Sequence, residues 1–261
     1  MRWLLPVLLL AAFAAACGSD SPTQRGTYIA LGDSLSEGEG ASDPATTAFV
    51  PLVHEHLGDG FQLLNLGHSG DTSEQLIDHG HLQEAVAEIG QRNGDDDPDN
   101  DVKLVTLEIG GNDLLNLYFD LVGSGTCPSV QIALQKQEEC VDRLAAVLEG
   151  FEPNLKETLD RLQAADANLR ILLLTLGNPF SGSPQTFDEL GELGLDGTPF
   201  PEGLNEIIRA QAQETGVILV DLYPLFEGKA SELIAQEDLH PNDEGYRVMA
   251  EAVILALGDT P

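Results

Sequence analysis

From residue 28 onward, short apolar runs alternate with amphipathic stretches. The runs TYIALGD, FQLLNLG, VKLVTLEIG, LRILLLTLG and GVILVDLY are rich in Val, Ile, Leu and Tyr. Their apolar residues continue without alternation, which predicts five strands buried on both faces. Between them, segments 47–57, 73–91, 130–166, 202–214 and 243–257 carry helical spacing. In the longest, Leu144, Val147, Leu148, Phe151, Leu155, Leu159 and Leu162 recur every three or four residues and form one buried face. Pro153 interrupts that face and is expected to kink or divide the helix. Segments 113–130 and 178–201 read as long insertions that follow strand ends and wall a pocket there. Strands alternating with helices predict an α/β fold, a central parallel sheet of about five strands covered on both faces. Ligands of such sheets bind beyond the carboxyl ends of the strands.

The first 27 residues break this rhythm. MRWLLPVLLLAAFAAAC has one arginine, an apolar run and small residues ending at Cys17. It is shorter than the ~20 apolar residues of a spanning helix and reads as a signal peptide, residues 1–16. Ala-Ala-Ala-Cys resembles a bacterial lipoprotein signal, which implies lipidation of Cys17, export, and attachment to the cell envelope by that lipid alone. Residues 17–27 are polar and aperiodic, a tether for a single domain expected over 28–258. With Cys17 lipidated, Cys127 and Cys140 remain, and an oxidising compartment lets them pair.

Composition narrows the partners. The chain of 261 residues carries 44 acidic and 12 basic residues, a net charge of −32. Such a charge repels phosphate backbones and anionic lipid surfaces, so nucleic acid is not expected as a partner. A monomer without cofactor or metal is expected.

Polar residues gather where the predicted strands end. Gly32-Asp33-Ser34 follows the first, NLGHSGDT (65–72) the second, and GGND (110–113) the third; EDLHPNDEGY (237–246) precedes the last helix. A single serine at a strand end is an ordinary helix cap. A serine, a glycine turn, an asparagine and a histidine at four such places supply a hydroxyl, a base and oxyanion donors, which is what acyl transfer needs. The G-x-S-x-G pattern of the α/β-hydrolases is absent from the sequence.

In these four ordered blocks the sequence resembles the GDSL-type SGNH hydrolases, flavodoxin-like serine esterases, over nearly all of 28–258. The resemblance implies that Ser34 is the nucleophile and His240 its general base. It further implies an oxyanion hole made by the backbone N–H groups of Ser34 and Gly70 and the side-chain amide of Asn112. One departure stands out. The family usually has Asp-x-x-His, but here Glu237 lies three positions before His240 and Asp238 two before. A helical or 3₁₀ turn brings i and i+3 to one side, which favours Glu237; residue type and a one-residue deletion in a loop favour Asp238.

Other residues read as structural. His54, His56, His79 and His81 lie in or beside helical stretches, where i and i+2 face apart, so no metal site is expected from them. His68 is a candidate for the pocket wall or for an exposed position. GDDDPDND (94–101) resembles a calcium loop, but no register supplies both its glycine and its twelfth-position glutamate, so it reads as a solvated acidic loop. The insertions carry Leu114, Leu115, Leu117, Tyr118, Phe119 and Leu121, then Phe180, Phe187 and Phe200. Apolar walls favour acyl esters (a lipase, lysophospholipase or thioesterase-like substrate) over an acetylated carbohydrate. A non-catalytic binding lipoprotein would not need the serine, histidine and oxyanion set.

Overall fold

A computed structural model describes residues 25–183, 185–197 and 202–258. The expected signal peptide, Cys17, most of the tether and Phe200 lie outside them. No helix among the described residues is long and apolar enough to cross a membrane.

The chain runs β1 (Gly26–Gly32), α1 (Ser34–Glu37), α2 (Phe49–Leu57), β2 (Phe61–Gly67), α3 (Ser73–Asp78), α4 (His81–Arg92) and β3 (Val102–Glu108). Then follow α5 (Gly111–Gly123), α6 (Val130–Gln135), a π turn (Gln137–Val141), α7 (Asp142–Ala165), β4 (Arg170–Leu174), α8 (Gln185–Leu195) and α9 (Leu204–Thr215). β5 (Ile218–Val220), α10 (Tyr223–Phe226), α11 (Ala230–Leu233) and α12 (Asp243–Leu257) complete it. All five strands pair in parallel in the order β2-β1-β3-β4-β5. That is the doubly wound, flavodoxin-like order, with helices on both faces. β1 begins at Gly26, two residues inside the segment read as tether.

Side-chain alternation along the strands builds two cores from one sheet. Ile29 and Leu31 of β1 join Val105 and Leu107 of β3 beneath α3, α4, α7 and α9. Tyr28 and Ala30 join Leu104, Leu172 and Leu174 beneath α2 and α12. Tyr28 is fully buried, and its hydroxyl is satisfied by Thr106 Oγ1 at 2.9 Å.

Three predicted elements differ in detail. Segment 73–91 is two helices, because Gly80 adopts a left-handed φ of +90° between them. The 130–166 stretch is three pieces rather than one, yet α7 itself runs unbroken through Pro153. Phe151, Leu155, Leu159 and Leu162 lie on both sides of that proline and are fully buried. At ~1.5–3 kcal/mol for each buried side chain, their packing outweighs the ~3 kcal/mol that an interior proline costs. The insertions are helical as well: 113–130 holds most of α5, where Leu114, Leu117 and Leu121 share one face, and 178–201 holds α8.

Cys127 and Cys140 form a disulfide that ties the end of the first insertion to the π turn before α7. Closing this 13-residue separation should contribute ~3 kcal/mol on the chain-entropy model. Replacing both cysteines by serine should therefore lower the thermal midpoint by about 6–12 °C. Because both cysteines line the pocket described below, the variant should change KM more than kcat. An unchanged midpoint by calorimetry would show that the bridge does not stabilise the fold.

Candidate active site

β1 ends against β3 with no room for a side chain: a Cβ on Gly32 would lie 2.0 Å from the Glu108 carbonyl oxygen. The chain turns there, and Asp33 Oδ1 accepts from Leu35 N–H at 3.1 Å, starting α1. Ser34 is thus the first residue of a short helix at the sheet's rim, 6% exposed. Its backbone N–H and that of Gly70 make no hydrogen bond among the described residues.

His240 comes from the opposite end of the chain. Asn242 caps α12, its Oδ1 accepting from Glu244 and Gly245 N–H, which fixes the backbone two residues after His240. His240 Nε2 lies 2.9 Å from Ser34 Oγ, and Nδ1 lies 2.6 Å from Asp238 Oδ1. The tautomer with its proton on Nδ1 donates to Asp238 and leaves Nε2 to accept from the serine.

The preference for Glu237 from turn geometry is corrected here. Glu237 has φ +62°, the one positive value among described non-glycine residues, so the segment is not a continuous 3₁₀ turn. Asp238 Oδ1 instead accepts from Leu239 N–H at 2.7 Å and His240 N–H at 3.3 Å, folding the carboxylate back onto the imidazole. Desolvation works against this charge, but hydrogen bonds from His240 and Leu239 hold the Asp238 carboxyl below its usual range. Glu237 is exposed.

Sequence reasoning missed Glu39. Its Oε2 lies 3.2 Å from His240 Nε2, and its backbone carbonyl accepts from the Tyr246 hydroxyl. Only the loop after Ser34 and the start of α12, folded together, bring it near, and no motif in the sequence marks it.

Asn112 donates through Nδ2 to the Asp71 carbonyl at 3.0 Å and to Asp33 Oδ2 at 3.3 Å. The loop carrying Gly70 and the start of α5 are thereby joined. The remaining block residues brace these loops. Asn65 Nδ2 donates to the Ser36 carbonyl at 2.7 Å. Asp113 accepts from Ser73 N–H at 2.9 Å and Ser73 Oγ–H at 2.7 Å, holding the start of α3.

Beneath Ser34 two acids are buried together, Asp33 and Glu108, at 2% and 0% exposure. Burial pushes the Asp33 carboxyl up to about 6. Burial, and then the charge of Asp33, push Glu108 well above the carboxylate range. Neither Glu108 oxygen meets a donor among the described residues, which fits a Glu108 that keeps its proton and gives it to Asp33.

The site opens on a pocket whose walls come from both insertions. Leu114, Leu117, Tyr118 and Leu121 of α5 face Phe180 and Leu193, and the Tyr118 and Phe180 rings stack at 5.1 Å. The mouth holds Ser34, Asn112 and His240. His68 is not part of this wall; its side chain is 56% exposed. His54 is a structural residue, its Nε2–H donating to the Phe61 carbonyl at 2.7 Å. The acidic loop satisfies itself, with Asp95 and Asp97 accepting from backbone N–H groups two residues on.

Residues 30–248 match the model of the GDSL-like lipase/acylhydrolase family. The chain belongs to that family. A spore germination lipase, LipC, of Bacillus licheniformis is 24% identical over 232 residues, covering 86% of this chain and 92% of LipC. The fold is similar to that of the lipase Lip_vut3 from a goat rumen metagenome, with a TM-score of 0.64 and 21% identity over 88% of this chain and 96% of that one. An extracellular lipase of Streptomyces rimosus gives a TM-score of 0.62 at 17% identity, covering 88% of this chain and 99% of its own. The protein is a carboxylic-ester hydrolase with the three-layer α/β/α fold of its family.

The buried acid pair generates a pH signature. An acid whose pKa is raised by folding holds its proton more tightly when folded. Its contribution is full below the unfolded value and is lost as pH rises through the folded one. For Asp33 that window runs from 3.8 to about 6, and for Glu108 it runs upward from 4.5. Glu108→Gln, which needs no titration, should lose less stability than wild type between about pH 4 and pH 7. Urea midpoints across that range measure it; parallel declines would remove the pair from the account.

Proposed function

We propose that this hydrolase cleaves esters of aliphatic acyl chains through an acyl-enzyme on Ser34. The reading is carried by one observation: the Ser34–His240–Asp238 hydrogen-bond chain opens on a pocket walled by leucine and aromatic side chains. Ser34 Oγ attacks the ester carbonyl while His240 Nε2 takes its proton, and Asp238 orients and stabilises the imidazolium. The carbonyl oxygen gains charge toward Ser34 N–H, Gly70 N–H and Asn112 Nδ2. One Asn112 hydrogen is held by the Asp71 carbonyl; the other, on the longer contact to Asp33, is the one available to the oxyanion. His240 then returns the proton to the leaving alcohol, and the same groups activate water to release the acid.

The acyl chain lies along α5, where Leu114, Leu117 and Leu121 offer no polar group to a sugar. That supports a lipase, lysophospholipase or thioesterase-like substrate over an acetylated carbohydrate. We further infer export, with a lipid on Cys17 as the membrane attachment. The Cys127–Cys140 bridge supports an oxidising compartment, and the apolar run before Cys17 supports the signal.

The test is a p-nitrophenyl ester series of rising chain length. kcat/KM should increase from acetate to medium chains; a maximum at acetate would favour the deacetylase reading. Ser34→Ala should abolish turnover, and a phosphonate probe should label Ser34 alone. Label on another residue would overturn the assignment.

Two further substitutions divide the roles. Asn112→Ala should lower kcat by ~10²–10³ through the lost oxyanion donor. Asp238→Asn should lower it by up to ~10⁴, as in other triads, whereas Glu237→Gln should leave it nearly unchanged. Equal, small effects of both acid variants at saturating ester would leave a Ser34–His240 dyad.

A further inference from the structure

The expectation that His79 and His81 face apart fails for a specific reason. They do not share a helix. His79 is the C-cap of α3, Gly80 turns the chain at φ +90°, and His81 is the first residue of α4. The corner turns both imidazoles toward the loop that follows β2, where His68 and Asp71 stand. One nitrogen or oxygen from each of these four residues lies within 4.8 Å of every other.

The separations are those of a coordination shell. His79 Nδ1 is 2.9 Å and His68 Nδ1 3.3 Å from Asp71 Oδ1, and His81 Nε2 is 3.4 Å from Asp71 Oδ2. Ligands ~2.0–2.1 Å from a tetrahedral ion stand about 3.3 Å apart. The side chains of His68 and His79 are 56% and 48% exposed, which leaves both rings room to rotate.

A second observation points the same way. Asp71 is 2% exposed, yet its Oδ2 receives no hydrogen bond among the described residues; the His81 nitrogen faces it without donating in line. A buried carboxylate oxygen without a donor is costly, and a bound cation removes the cost. Three imidazoles around one carboxylate exceed what an ion pair needs. The His68 and His81 rings also stack at 4.8 Å between centroids.

We propose that His68, Asp71, His79 and His81 bind one zinc-class divalent cation. Three nitrogens and one carboxylate oxygen suit Zn²⁺ and not Ca²⁺ or Mg²⁺, which take oxygen ligands. The four protein ligands close the shell, so the ion is structural and does not take part in ester cleavage. It ties the β2–α3 loop to the α3–α4 corner. Gly70 immediately precedes Asp71, and the Asp71 carbonyl holds Asn112, so the ion steadies the loop that presents one proposed oxyanion donor and holds another. The chain's net charge of −32 raises the local concentration of any cation.

The experiment uses the untagged chain, stripped with a chelator, dialysed and titrated with ZnCl₂ by calorimetry. One ion per chain is expected, with Kd about micromolar or tighter. Zinc at 100 times Kd should raise the thermal midpoint by about 5–10 °C. CaCl₂ and MgCl₂ should give neither effect. His79→Gln and His81→Gln, each checked for native circular dichroism, should each weaken zinc binding at least tenfold. Zinc affinity unchanged in either variant, or no binding of the wild type below ~1 mM, overturns the proposal. Neither result touches the ester-hydrolase reading, which turnover measures separately.

Discussion

The parallel pairing of β1 between β2 and β3 is the constraint on which the rest of the molecule depends. Gly32 aligns with Gly67 on one side and with Glu108 on the other, so three strands end at the same level of the sheet. The residues that leave those ends meet because the backbone has put them side by side. Ser34 leaves β1, the loop of Gly70 and Asp71 leaves β2, and Asn112 leaves β3. A one-residue slip in any of these pairings would move the following loop by a strand repeat, ~3.3 Å, and turn its side chains to the other face. That displacement exceeds the tolerance of a hydrogen-bonded site. The buried edges of β1 and β3 fix the register, because each side of the sheet packs a separate core.

This explains which parts of the protein were legible in the sequence. Strands buried on both faces, as β1, β3 and β4 are, write themselves as uninterrupted apolar runs; the edge strands β2 and β5 are only partly buried but are apolar enough for all five to be read. The strand-end blocks could be read because each holds several residues locked to nearby backbone. What failed was anything decided by one backbone torsion. The φ of Gly80 splits a helix that has continuous periodicity, and the φ of Glu237 removes the turn that would have placed its carboxylate on His240. Residue type alone does not announce such torsions. Asp238, two positions from His240, reaches it because an aspartate can accept from the two N–H groups that follow it and so fold back.

Glu39 and the His68–Asp71–His79–His81 group were invisible for a different reason. Each is assembled from separate elements by packing, with no fixed spacing to read. Glu39 reaches His240 only because Gly40 lets the α1 loop pass under the histidine; a Cβ there would lie 2.8 Å from that of His240. Asp71 has two attachments, its carbonyl to Asn112 and its carboxylate to the imidazoles. A residue tied on both sides in this way passes positional change from one cluster to the other, as a rigid strut between them.

The distribution of charge completes the relation between fold and chemistry. Among the described residues that line the pocket, Asp33 is the one carboxylate, buried beside Glu108, although the chain carries a charge of −32. The pocket is therefore apolar locally, while the field around it is strongly negative. A neutral ester enters such a site without electrostatic opposition and gains by burying its chain. Hydrolysis converts it to a carboxylate, and that product meets the surrounding negative potential. The potential disfavours the anion and does not disfavour the ester. The same composition that repels phosphate-rich surfaces thus bears on the proposed reaction at the level of binding: an acyl ester would be retained by its chain, and its product acid opposed by its charge.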